Sequence, residues 1–162
     1  MIKLFLAVAL SILSADAQPV TVFLVRHAEK AAAPADDPSL TPAGKARAKI
    51  LANVLRDAQI AAVFSSQFKR TIETAQPVAN FFKLSVTQVT DGDPVELRKR
   101  ILANKGKAVL VSGHTNTVPE LIQALGGPAG IVIAETEFDR LFVLNVTSPT
   151  TAALIPLRYG AK

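Results

Sequence analysis

Arg26 and His27 stand side by side where an apolar run, Val20-Thr21-Val22-Phe23-Leu24-Val25, comes to a stop. A second apolar run, Ile60 to Phe64, stops at Ser65-Ser66, with Arg70 close behind. A third, Lys107 to Ser112, leads straight into Gly113-His114-Thr115-Asn116. Imidazole is a nucleophile and proton carrier near neutral pH, and guanidinium offers a planar fork of N–H donors suited to carboxylate and phosphate oxygens. A single histidine behind an apolar run is usually a hydrogen-bonded structural group. Both of the chain's two histidines fall in such a place, which favours a shared chemical use: a pocket for a tetrahedral anion with a nucleophile beside it.

The elements that must bring these residues together can be read from the pattern around them. Apolar runs of this length, bounded by polar or turn residues, read as strands buried on both faces. In an open parallel sheet the strands' carboxyl ends share one edge, and ligands bind in the crevice beyond it. Thr41-Pro42 signals a helix start, with Thr41 as N-cap and Pro42 at the first position; Ile50, Leu51, Val54 and Leu55 are spaced as its buried face. A second helix spans 68–82 and contains Pro77, which should kink it or weaken its ladder. A short strand near 84–89 and the turn Asp91-Gly92-Asp93 follow. Asp93-Pro94-Val95-Glu96 then reads as a capping box opening a helix to about Asn104. Thr117-Val118-Pro119-Glu120 reads as another, its helix ending at Gly126-Gly127-Pro128. Two β segments, 138–146 and 151–158, close the chain as a hairpin or on separate edges. Regular alternation of strand and helix predicts an α/β fold, three layers deep, with a mostly parallel sheet.

Composition narrows the chemistry. The 162 residues suit one domain able to bury about two-thirds of its unfolded surface. With no Cys there is no disulfide, no thiolate metal site and no thiol nucleophile. Two histidines make a His-rich zinc site a poor fit, and no metal or other cofactor is expected. Lys3, the apolar stretch Leu4 to Leu13 and Ala15-Asp16-Ala17 have the layout of a cleavable export signal. The expectation is a signal peptide over 1–17, a domain over 18–162, export to a periplasm or the outside, and no lasting membrane anchor after processing. The charge of +5 favours anionic partners. Arg98-Lys99-Arg100 is the densest basic cluster, and there is no Trp and one Tyr, so a nucleic-acid partner is not expected.

Leu24-Val25-Arg26-His27-Ala28-Glu29-Lys30, Ser65-Ser66-Gln67-Phe68-Lys69-Arg70-Thr71-Ile72-Glu73-Thr74-Ala75 and Val111-Ser112-Gly113-His114 together resemble the histidine phosphatase superfamily, the phosphoglycerate-mutase-like proteins with an Arg-His-Gly signature. Ala28 stands where the signature has Gly. The resemblance spans nearly all of the chain after residue 17. It implies a phosphoglycerate-mutase-like fold and makes His27 the nucleophile that becomes a phosphohistidine. Arg26, Arg70 and His114 would hold the transferring phosphoryl group, with Thr115 and Asn116 as further donors. Phosphoryl transfer asks mainly for positioning and charge neutralisation, which such a set supplies.

The resemblance also implies a general acid, and no motif marks one. Glu96 and Glu29 are the candidates. Helix capping is the stronger reading of Glu96, and a salt bridge that of Glu29. Asp36, Asp37, Asp91 and Asp93 read as loop, turn or cap residues. A weak acid favours leaving groups of low basicity, such as aryl phosphates, phosphohistidine or phosphoanhydrides. The expected activity is hydrolysis of phosphorylated small molecules or a phosphoprotein at a shallow site. The alternatives are a phosphoglycerate-type mutase and a non-catalytic module that binds phosphate or a phosphoprotein.

Overall fold

The computed structural model describes residues 18–90 and 93–160. The expected export signal, and Asp91 and Gly92 of the expected turn, lie outside these residues. The element order is β1 (Val20–Arg26), α1 (Pro42–Val54), β2 (Ile60–Ser65), α2 (Lys69–Phe81), β3 (Val86–Gln88), α3 (Pro94–Leu102), β4 (Ala108–Gly113), α4 (Thr117–Ala124), β5 (Arg140–Ser148) and β6 (Thr151–Arg158). The strands form one sheet in the order β3-β2-β4-β1-β5-β6. The first four are parallel to one another, while β5 runs antiparallel to β1 and β6 antiparallel to β5. The two carboxyl-terminal segments are therefore a hairpin on the sheet's edge.

Strand residues alternate between two apolar layers, as the period of two requires. Val22 and Leu24 of β1, Val109 and Val111 of β4, and Phe142 and Leu144 of β5 pack with Ile101 of α3 and Val118, Leu121 and Ile122 of α4. Val25, Leu110 and Leu141 turn the other way, against Leu51 and Leu55 from the first helical region and Ala75, Val78 and Ala79 of α2. The result is the three-layer α/β/α arrangement that the alternation predicts.

Several local expectations need correction. Leu51 and Leu55 are buried, but Ile50 and Val54 are 41% and 49% exposed. The buried stripe of α1 is Gly44, Arg47, Ala48 and Leu51, so small residues and one paired cation, rather than the neighbouring aliphatics, define its inner face. Thr41 does cap α1, accepting a hydrogen bond from the Gly44 N–H. At α3 only half a capping box forms. Asp93 accepts from the Glu96 N–H at 2.9 Å, but the Glu96 carboxylate turns to Arg100 at 2.7 Å. At α4 the N-cap is Asn116 without a side-chain bond. The Thr117 hydroxyl instead accepts the His114 N–H at 2.9 Å, because that amide leaves the β4 ladder and needs another acceptor. Helix α2 passes through Pro77 and continues to Phe81. No helix among the described residues is long and apolar enough to cross a membrane.

Candidate active site

Strand register decides what meets at the sheet's edge. Arg26 at the end of β1 lies beside Gly113 at the end of β4, and Ser65 of β2 lies beside Ser112. The chain leaves β1 with the His27 N–H still bonded to the Gly113 carbonyl at 2.9 Å, which pins the first histidine beside the second. Their rings meet edge-to-face with centroids 5.5 Å apart. The next amide, Ala28 N–H, donates to Thr74 Oγ1 of α2 at 2.9 Å. Ala28 is fully buried in a small cluster with Leu40 and Ala48, so its methyl has a place where the signature's glycine would leave none to pack.

His27 is 4% exposed. Its Nδ1 lies 2.8 Å from the Ala28 carbonyl oxygen, which can only accept. The proton of the neutral ring therefore sits on Nδ1, leaving the Nε2 lone pair free to attack. Burial lowers the pKa of His27 to about 4; Arg26, His114 and Arg70 push the same way, against the Ala28 hydrogen bond. At neutral pH the ring is uncharged, with a chemistry that suits a nucleophile.

The cations are held by aromatic faces and loop carbonyls. Arg26, 3% exposed, stacks its guanidinium 4.3 Å from the centre of the Phe138 ring. Its Nη1 donates to the carbonyls of Ala134, Glu135 and Glu137 at 2.9, 2.7 and 3.3 Å, and its Nη2 to Glu135 Oε2 at 2.7 Å. Burial draws its pKa down and Glu135 draws it back up. Arg70 lies 4.4 Å over the Phe68 ring, and Phe68 in turn meets the His114 ring edge-on at 5.5 Å. The Nε atoms of Arg26 and Arg70 are both buried with no hydrogen-bond partner among the described residues. A buried, charged N–H without an acceptor is costly, and an oxyanion would satisfy both groups.

His114 is fixed by Ser66, whose Oγ lies 2.9 Å from Nε2 and 2.7 Å from Thr71 Oγ1. Thr115 Oγ1 donates to Glu135 Oε1 at 3.0 Å, and Asn116 is exposed on the rim. At the α2 N-terminus, Asp37 Oδ1 accepts the Lys69 N–H at 2.8 Å.

Neither candidate acid stands free at the site. Glu29 is clamped by Arg47 through bonds of 2.7 to 3.0 Å. Burial pushes the Glu29 pKa up, but the Arg47 bonds, a backbone hydrogen bond and the charges of Arg47 and Arg26 together hold the carboxyl below its usual range. Glu96 is taken by Arg100 at 2.7 Å, with Lys99 at 3.8 Å. The carboxylate that does reach the cluster is Glu135, which sequence reasoning missed together with the stacking rings Phe68 and Phe138. Glu135 lies between α4 and β5 in a stretch without periodicity, so nothing local in the sequence signals it. Among the described residues, no group of three or more His, Asp or Glu side chains is placed to hold a metal ion.

Comparison with known proteins agrees with the resemblance read from the motifs. Residues 22–91 match the family model described as histidine phosphatase superfamily (branch 1). No curated protein matches the sequence. Among solved structures, the protein histidine phosphatase SixA complexed with tungstate superposes with a TM-score of 0.71 at 21% identity, covering 85% of this chain and 96% of that one. A phosphohistidine phosphatase SixA, designated putative, from Nakamurella multipartitia gives 0.67 at 22% identity, covering 90% and 98%. The phosphoglycerate mutase of Bacillus anthracis str. Sterne gives 0.64 at 16% identity, covering 88% and 94%. The fold is thus that of the phosphoglycerate-mutase-like proteins, and phosphatases and a mutase share it.

Proposed function

We propose that this chain is a metal-independent phosphatase, hydrolysing phosphomonoesters or a phosphoprotein through a phosphohistidine on His27. The observation that carries this reading is the state of His27: a buried neutral ring whose Nδ1 proton is committed to Ala28. Beside it, two guanidinium groups each keep one buried N–H without a partner among the described residues. In the first step the Nε2 lone pair forms a bond to phosphorus and the bond to the leaving oxygen or nitrogen breaks. Arg26 and Arg70 neutralise the charge on the equatorial oxygens, and His114, steadied by Ser66, orients one of them. The leaving group takes its proton from water. In the second step water attacks phosphorus, the N–P bond breaks, and phosphate departs with His27 restored.

Trapping in alkaline denaturant tests the reading. Incubation with a ³²P-labelled aryl phosphate should leave an acid-labile, base-stable label on the protein, absent from His27→Ala. Binding of phosphate without label or turnover would make the chain a binding module. Label passing to an acceptor hydroxyl instead of to water would make it a mutase. We further propose export, from Lys3, the apolar Leu4 to Leu13 and Ala15-Asp16-Ala17. Sequencing of the protein recovered from its source should then begin at Gln18.

A further inference from the structure

Two carboxylates, Glu135 and Asp37, lie beside the segments that carry Arg26 and Arg70. On one side the Glu135 carboxylate, 77% exposed, bridges Arg26 Nη2 at 2.7 Å and Thr115 Oγ1 at 3.0 Å. Its place is held from below, since three carbonyls of the same loop accept from Arg26 Nη1. On the other side Asp37 sits on the Lys69 N–H at the first turn of α2, one residue before Arg70. The Lys69 ammonium leans on the same carboxylate at 3.9 Å. A cleft that shares Ser66 and Gly113 with the site carries Asp93 and Glu120 in its wall. The floor donors, meanwhile, point to an anion: Arg26 is almost wholly buried and its Nε has no partner among the described residues.

Resting on the phosphatase reading, we propose that Glu135, with Asp37, sets specificity: the site takes a single phosphoryl group on a part that carries positive charge close by, and rejects substrates with a second anionic group there. A phosphoryl group can bind Arg26 through Nε while Glu135 keeps Nη2, because the guanidinium presents five donors. The carboxylate then stays beside the bound substrate. It attracts an ammonium or guanidinium on the leaving part and repels a carboxylate or second phosphate. The protein's overall charge of +5 would favour the opposite choice, so the preference has to arise locally at this rim.

Two phosphotyrosine peptides of equal length test this, one flanked by Lys and one by Glu, so that the leaving group is the same in both. The wild type should favour the basic peptide by about tenfold in kcat/KM at low salt, less at high salt. Glu135→Gln should cut that ratio several-fold, Asp37→Asn should cut it further, and Glu135→Lys should invert it. Calorimetric titration of both peptides into His27→Ala should show the same ratio in Kd. Ratios within twofold in the wild type, or a preference untouched by both Glu135→Gln and Asp37→Asn, would overturn the proposal. Loss of all turnover in the wild type would instead sink the phosphatase reading, while the Kd ratio still judges the rim.

Discussion

The depressed pKa of His27 is the quantity on which the mechanism leans hardest, and it can be measured directly. An ordinary histidine titrates near 6.5, whereas His27 is lowered to about 4 by burial, with the neighbouring cations adding to it. At pH 5 a group with a pKa near 4 is about nine-tenths neutral. One at 6.5 is about 3% neutral, so the nucleophilic fraction differs roughly thirty-fold. Substrate ionisation confuses a rate profile in this range, so the cleaner assay is NMR titration of the imidazole C–H signals. With two histidines in the chain, His114→Gln assigns both. The expected result is one ring that stays neutral to about pH 4 in the free protein and moves upward when phosphate or tungstate binds. The same shift has a stability consequence whose sign is fixed. A folded-state pKa below the unfolded one means that the unfolded chain binds more protons between pH 6.5 and 4. Stability is therefore full above about 6.5 and lost as pH falls toward 4, by about 3 kcal/mol over the whole window. Urea titrations of the wild type and His27→Gln at pH 7 and 4.5 should diverge accordingly, the variant losing less. A His27 titration at or above pH 6, or parallel stability curves, would refute the claim that burial keeps this ring uncharged.

Other consequences follow from the same geometry. His27→Ala should lower turnover about 10³-fold or more, roughly 4 kcal/mol of barrier, in a steady-state assay with an aryl phosphate. Glu29→Gln breaks a partly buried pair with Arg47 and should cost about 1–3 kcal/mol in urea unfolding. If Glu29 is no acid, the slope of log kcat/KM against leaving-group pKa stays unchanged in that variant. The slope itself should be steep in the wild type and the same in Glu96→Ala, since Glu96 pairs with Arg100 on α3. Gly44→Ala would press a methyl onto the Glu29 carbonyl, the backbone acceptor of the Thr41 N–H, and should cost about 1–3 kcal/mol by thermal melting.

The parts of this site that were legible in the sequence are those fixed by strand ends. Arg26-His27, Ser65-Ser66 and Gly113-His114 each follow an apolar run, and in parallel strands that places them on a common edge whatever the rest of the fold does. The inner face of α1 was misread for a reason of the same kind. Ile50 and Val54 offer good hydrophobic spacing, but the stripe actually buried runs through Gly44, Arg47 and Ala48. Small residues bring the helix close to the chain after His27, and Arg47 is buried because Glu29 pairs with it. Neither fact follows from hydrophobic periodicity, since a buried arginine is expected only where its partner is already known.

Glu135 was illegible for a stronger reason: its contact with Arg26 spans 109 positions and comes from a stretch with no helix or strand to set its phase. That stretch still has a physical determinant. A guanidinium buried to 3% exposure must find acceptors for its many N–H groups, and β1 cannot supply them, because its carbonyls belong to the ladders with β4 and β5. The chain before β5 is the segment that folds back over the end of β1, and three of its carbonyls take up Arg26 Nη1. Burying Arg26 and placing the rim carboxylate are therefore one structural event. A loop that satisfies Arg26 through the carbonyls of residues 134, 135 and 137 also brings the side chain of 135 to the same guanidinium, and because those three bonds are made by the backbone, the identity of residue 135 can vary without undoing them.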